Sequence, residues 1–348
     1  MNVDVTVKSF DDNMQQYDFL IPSIKGTMET VIYQLAQLRE PFIDITGINT
    51  VHFVDNYRNE LFDFQHSVGH HSFATLNKIA TGHAQVVYVR KDESEKLEGY
   101  HIFFSKLIPM SILVGQYIED NSERLDSEIV KKVILEKNLY LRMIRHELAH
   151  VEDENNQKEW SWLSTAFTEN AVKARIRYDA YRLWSEFYAC QRSNFIYNAE
   201  EAVEELTSLM RDLTTAEKEI CELRWKYNTH IIELDAFVKA IHEYVRSAYI
   251  YGCYFMGHMN ELYETINKQI KPELMESRFF HHFPQMWMVL RGMLSIYPNW
   301  ESAEILDDLA NLILITLEEF EVYPEDTEDG VYYSIPPKKI YPLSNNLN

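Results

Sequence analysis

The sequence predicts an α+β protein that is predominantly helical, with a small sheet confined to its first hundred or so residues. Three observations carry that expectation. Glycine and proline number only ten each in 348 residues, so turns should be sparse and helices long. After Asp126, apolar residues recur at helical spacing almost without interruption. Ahead of that point, short runs rich in β-branched and aromatic residues alternate with polar connections. Hydrophobic residues make up 46% of the chain, enough for a buried core.

In chain order, "METVIYQLAQLRE" (28–40) has the period of a helix and "INTVHFVD" (48–55) that of a strand. "AQVVYVR" (84–90) and "YHIFFSKL" (100–107) read as two strands joined through the charged, solvated "KDESEKLEG". A long helix begins with Asp126 as N-cap. Ile129, Val130, Val133, Ile134, Leu141, Ile144, Leu148 and Val151 fall on one side of it, and Leu135, Leu139 and Met143 on another. Apolar on two faces, it is expected to lie between layers and to dissolve at "EDENNQK". Further helices are expected over 169–198, 199–228, 231–257, 284–297 and 301–320, followed by a loosely packed tail from Pro324. This reading divides the chain into an α/β part, 1–198, and a helical part, 199–348.

A formal net charge of −21 without a basic stripe opposes binding to a phosphate backbone. Cys190, Cys221 and Cys253 are odd in number and far apart, each in an apolar helical context, and read as reduced core thiols. The first residues lack the basic and apolar regions of a secretion signal, and no run reaches the ~20 apolar residues of a membrane span. No membrane association and a cytoplasmic location are expected. Nucleotide-binding glycine motifs and the serine-hydrolase elbow are absent from the sequence.

The chemistry gathers at "MIRHELAHVEDE", 143–154. Four residues on an α-helix advance the chain by about 6 Å and little more than one turn, so His146 and His150 share a face. Both imidazoles can reach one zinc ion, and a catalytic site needs a third protein ligand with a fourth position left to water. Glu147 projects towards that water without binding the metal. Zinc lowers the pKa of its water towards ~7, and Glu147 is expected to act as general base on it.

For the third ligand, "LWSEFYACQRS" places Glu186 among Leu183, Phe187, Ala189 and Cys190, where a carboxylate needs a partner if that face is buried. Glu169, Asp179 or a distant histidine remain open for this role. In the rival reading Asp179, Arg182, Glu186 and Ser193 form a stripe facing water. The adjacent histidines of "HSVGHHSF" (66–73) and "FFHHFP" (279–284) should diverge and share no metal.

An HExxH helix followed by a glutamate on the next long helix resembles the zincin superfamily of metallopeptidases, specifically its glutamate branch. The likeness is specific at His146, Glu147, His150 and Glu186. It lacks the glycine and third histidine of the metzincin pattern, and its interval to Glu186 exceeds that of the thermolysin-like pattern. The resemblance implies a small sheet packed on the active-site helix, one zinc ion, and a protein or peptide substrate that pairs with "YHIFFSKL" as an added strand. The downstream residues Tyr188, His230, Tyr251 and His258 are among many candidates for stabilising an oxyanion. The alternative class is a non-catalytic helical binding protein with a degenerate or structural metal site.

Overall fold

A computed structural model describes residues 3–9, 15–69, 84–91, 96–124, 126–158, 160, 162, 166–167, 171–196, 199–259 and 277–336. The chain is α+β and predominantly helical. It divides into two compact units that interleave in sequence: residues 1–159, 185–198 and 257–260 form the first, and 160–184, 199–256 and 261–348 the second. Among the described residues, no helix is long and apolar enough to cross a membrane.

The first unit holds a four-stranded mixed sheet. Its strands β1 (Asp4–Val7), β2 (Ile48–Val54), β3 (Ala84–Lys91) and β4 (Lys96–Ser105) lie in the order β1-β2-β4-β3. β1 and β4 pair parallel with β2, and β3 pairs antiparallel with β4. Helix α1 (Ile21–Ala36) turns Met28 and Ile32 inward, against Val51 and Phe53 of β2 and Ile102 and Phe104 of β4. Their alternate spacing puts the strand residues on one face. Two further helices, α2 (Tyr57–Ser67) and α3 (Leu107–Asp120), were not foreseen from the sequence, and β4 stops at Ser105 so that α3 can begin at Leu107.

The long helix α4 (Ser127–Gln157) starts where the sequence placed it. The Asp126 carboxylate accepts hydrogen bonds from the Glu128 and Ile129 N–H groups at 2.9 and 3.3 Å, satisfying two of the donors that a helix start leaves open. Its burial is uneven, however. Ile144, Leu148, Ala149 and Val151 are fully buried and join the sheet core, whereas Ile129 and Leu139 are exposed. The expectation of two buried faces therefore fails for the N-terminal half. There α4 packs against α3, where an added Cβ on Gly115 would stand 2.6 Å from the Lys137 Cβ. A single neighbouring helix covers one stripe only, which leaves the opposite side wet.

Helix α5 (Val172–Ser193) contributes its residues from Ser185 onward to the first unit. The second unit is built mainly from α6 (Ala199–Asn228), α7 (Leu234–Met259), α8 (Phe283–Ile296) and α9 (Asp307–Glu319), with the last residues of α7 assigned to the first unit. Its core includes Tyr249, Ile250, Cys253, Phe255 and Met256. The expected loose tail instead includes an antiparallel hairpin, β5 (Tyr323–Thr327) and β6 (Gly330–Ser334). None of the three cysteines forms a disulfide, and Cys221 is exposed rather than in a core.

Candidate metal centre

The spacing of His146 and His150 does on α4 what helical geometry requires. Their Nε2 atoms stand 3.1 Å apart. The carboxylate of Glu186 on α5 completes a triangle, with Oε2 3.3 Å from His146 Nε2 and 3.6 Å from His150 Nε2. Tetrahedral ligands at 2.0–2.1 Å from one zinc ion lie about 3.3 Å from each other. The three edges match that figure, so the residues fit the ion.

The remaining polar atoms agree with this fit. Glu186 Oε2 is buried and makes no well-aligned hydrogen bond among the described residues. The far ring nitrogens are occupied elsewhere: His150 Nδ1 lies 3.0 Å from Ser185 Oγ, and His146 Nδ1 lies 3.6 Å from Cys190 Sγ. Partners at Nδ1 orient each ring and leave Nε2 to face the carboxylate. Two nitrogens and an anionic oxygen turned towards one point repel unless a cation or a proton lies between them. With no metal, the charge balance falls on His150. Burial acts to lower it, but Glu186 outweighs burial and pushes the imidazole up to about 9. Burial likewise lowers His146. Glu186, despite its burial, is held well below the usual carboxylate range by the two imidazoles.

Glu147 lies outside the triangle. It is buried, and burial first, with the negative charge of Glu186 in support, pushes its carboxyl up to about 7. His150 and the main-chain amide of Val86 on β3 act in the opposite sense. Tyr57, at the start of α2, is kept protonated by burial and by the neighbouring charge of Glu147. Nothing in the spacing of the motif pointed to Tyr57, which is distant in sequence.

A buried clasp sets the register of α4 and α5. Arg192 donates from Nε to Glu152 Oε2 at 2.7 Å and from Nη2 to Oε1 at 2.9 Å, and the Tyr188 hydroxyl donates to Oε2 at 2.7 Å. Arg145, only 1% exposed, donates to the carbonyls of Arg192 and Leu35. Burial lowers its pKa to about 10. On the other side of α5, Gly257 near the end of α7 admits a close approach: an added Cβ would stand 2.4 Å from the Cys190 Cβ and 2.9 Å from the Phe187 carbonyl oxygen.

His146, His150 and Glu186 are thus brought together, with Glu147 beside them. Asp179 takes no such part; its carboxylate pairs with Arg246 at 3.6 Å. Glu169 lies outside the described residues, as do His70 and His71. The water-facing stripe is not formed, since Ser193 is fully buried and Glu186 faces the imidazoles. Tyr188 is committed to Glu152. One correction concerns the cleft edge. β4, expected to receive a peptide, lies between β2 and β3 with both sides paired, and β3 is the edge strand beside it, β1 being the other edge.

No family model, characterised protein or solved structure matches this chain. The geometry stands alone.

Proposed function

We propose that the chain is a zinc-dependent metallopeptidase that hydrolyses a peptide bond in a protein or peptide substrate. One observation carries the reading: three ligand atoms form a triangle sized for one ion, with a buried carboxylate adjacent to it and outside the ligand set. A structural site alone would have no need of Glu147. When bound, zinc supplies Lewis acidity, which acidifies water and polarises a carbonyl.

The chain's own residues do the rest. His146, His150 and Glu186 hold the ion, and Ser185 and Cys190 fix the ring orientations. Glu147 accepts a proton from the attacking water at its carboxylate and returns it to the departing amine. β3 has no strand on its outer side among the described residues, so an extended peptide could add there through main-chain hydrogen bonds, next to Glu147.

The test combines metal content with turnover. His146→Ala and Glu186→Ala should each bind one zinc equivalent fewer than wild type, by elemental mass spectrometry on tag-free protein. Glu147→Gln should keep that equivalent and lose cleavage of a proteome-derived peptide library. Metal content indifferent to His146→Ala and Glu186→Ala would overturn the site, and cleavage surviving in Glu147→Gln would overturn the mechanism.

A further inference from the structure

A second convergence of histidines lies wholly within the second unit. His281 and His282 belong to the 3-10 turn Phe280–His282 that leads directly into α8. The sequence reading expected such neighbours to diverge. Instead the ring centroids are 3.8 Å apart, and both Nε2 atoms converge on one oxygen of Glu319, the last residue of α9. His281 Nε2 is 3.1 Å from Glu319 Oε1, and His282 Nε2 is 3.2 Å from it. Both distances again sit close to the ~3.3 Å expected between two ligands of one tetrahedral ion.

Hydrogen bonding leaves this cluster incomplete. The His282 side chain is 9% exposed, and its Nε2 has no aligned hydrogen-bond partner among the described residues. Glu319 Oε2 is buried in the same condition. His281 Nδ1 lies 3.2 Å from the Ser277 carbonyl, which can only accept. Nδ1 therefore carries a hydrogen, and in the neutral ring Nε2 turns its lone pair towards Glu319. One proton on His281 could satisfy a single edge of this cluster and would leave His282 Nε2 unmatched. Helix ends argue the same way. A carboxylate at the C-terminal end of α9 sits at the unfavourable pole of that helix dipole and calls for a cation beside it.

We propose that His281, His282 and Glu319 hold a second transition-metal ion of the zinc class, independent of the His146 cluster, that staples the end of α9 to the turn that starts α8. His281 is 41% exposed on its side chain, so the ion can be reached from solvent, and the fourth ligand is water. The donor set of two imidazoles and a carboxylate suits zinc better than calcium or magnesium.

The experiment uses the full tag-free chain, stripped with chelator, reloaded with zinc chloride and cleared of excess by gel filtration before elemental mass spectrometry. Wild type should hold two equivalents, His281→Ala and Glu319→Gln one each, His146→Ala/His150→Ala one, and the triple variant with His281→Ala none. Added zinc should raise the melting temperature of His146→Ala/His150→Ala by about 5 °C at a hundredfold excess over its dissociation constant, and leave that of the triple variant unmoved. Zinc content unchanged in both His281→Ala and Glu319→Gln would overturn the proposal. Should Glu319→Gln misfold, His281→Ala decides, because its half-exposed ring contributes little packing. Failure of the peptidase site gives a different pattern: one equivalent in wild type, kept by His146→Ala/His150→Ala and lost in His281→Ala.

Discussion

Two clusters of the same composition, two histidines and a glutamate, are assembled here by opposite means. In the first unit, His146 and His150 are brought together by one turn of a long, capped helix, and Glu186 comes from a neighbouring helix. In the second, His281 and His282 are chain neighbours whose rings are turned the same way by a 3-10 turn at the mouth of a helix. The ligands of the first cluster are all partly exposed, at 14–19%, and adjoined by a buried carboxylate, Glu147; the second is open on the His281 side. Ligand composition alone thus does not separate the site we propose as reactive from the one we propose as a staple. What surrounds the ligands does.

That contrast can be broken most forcefully at Glu147. Glu147→Gln should lower kcat by about 10²–10⁴-fold, the usual contribution of a general base, with zinc content unchanged. His281→Ala should leave kcat within about twofold, because His281 belongs to the Glu319 cluster and not to the one that adjoins Glu147. Steady-state peptide hydrolysis beside metal analysis checks both.

The next effect comes from the clasp. Glu152→Ala leaves the part-buried Arg192 without its carboxylate, with the Pro41 carbonyl still accepting from it, and should cost about 3 kcal/mol in urea unfolding. It should also weaken zinc binding at the first cluster by about 10–100-fold, read by chelator competition, while the second cluster keeps its affinity.

A smaller loss is expected from Gly257→Ala. The new methyl would overlap the Cys190 Cβ, and relief of such overpacking costs about 1–3 kcal/mol. Because Cys190 is the partner of His146 Nδ1, zinc affinity should fall at the first cluster only.

The smallest effect concerns a pair of rings with no bridging carboxylate among the described residues. His52 Nε2 faces His101 Nδ1 at 2.9 Å, and Thr6 Oγ1 lies 2.9 Å from His52 Nδ1. Burial, seconded by His101, pushes His52 down to about 4. Its pKa is lower folded than unfolded, so the unfolded chain binds more protons between about pH 6.5 and 4. Stability is intact above 6.5, falls as pH drops through that window, and levels off below 4. Melting temperatures at pH 7 and pH 5 should differ by less in His52→Gln than in wild type, by a few degrees at most.

Much of the helical fold was legible in the sequence because period and capping are local properties. The Asp126 cap, the start of α4 and the span of α6 needed no tertiary information. β1, α2 and α3 were missed, being short or set among apolar residues whose period does not choose between helix and strand. The first cluster was readable because His146 and His150 have a fixed helical relation, and Glu186 because a carboxylate among apolar neighbours calls for a partner. The order β1-β2-β4-β3, which gives β3 the edge, depends on pairing between distant segments and left no local trace. His281 and His282 were misread for a related reason: the rule that neighbours diverge holds for regular helices and strands, and a 3-10 turn before a helix is neither.

The anchorage of Arg145 has a mechanical consequence. Arg145 and Glu152 are seven residues apart on α4, hence nearly on one line along it, and each is tied to residues outside the helix. With side chains reaching about 5–6 Å from the axis, a roll of the helix by some 20° would sweep each imidazole through about 2 Å, a whole metal–nitrogen bond length. Core packing resists both sliding and rolling, and the two ties add directional resistance to rolling. α4 behaves as a keyed shaft: the two keys fix its angle, and the angle is what the ligand pair needs.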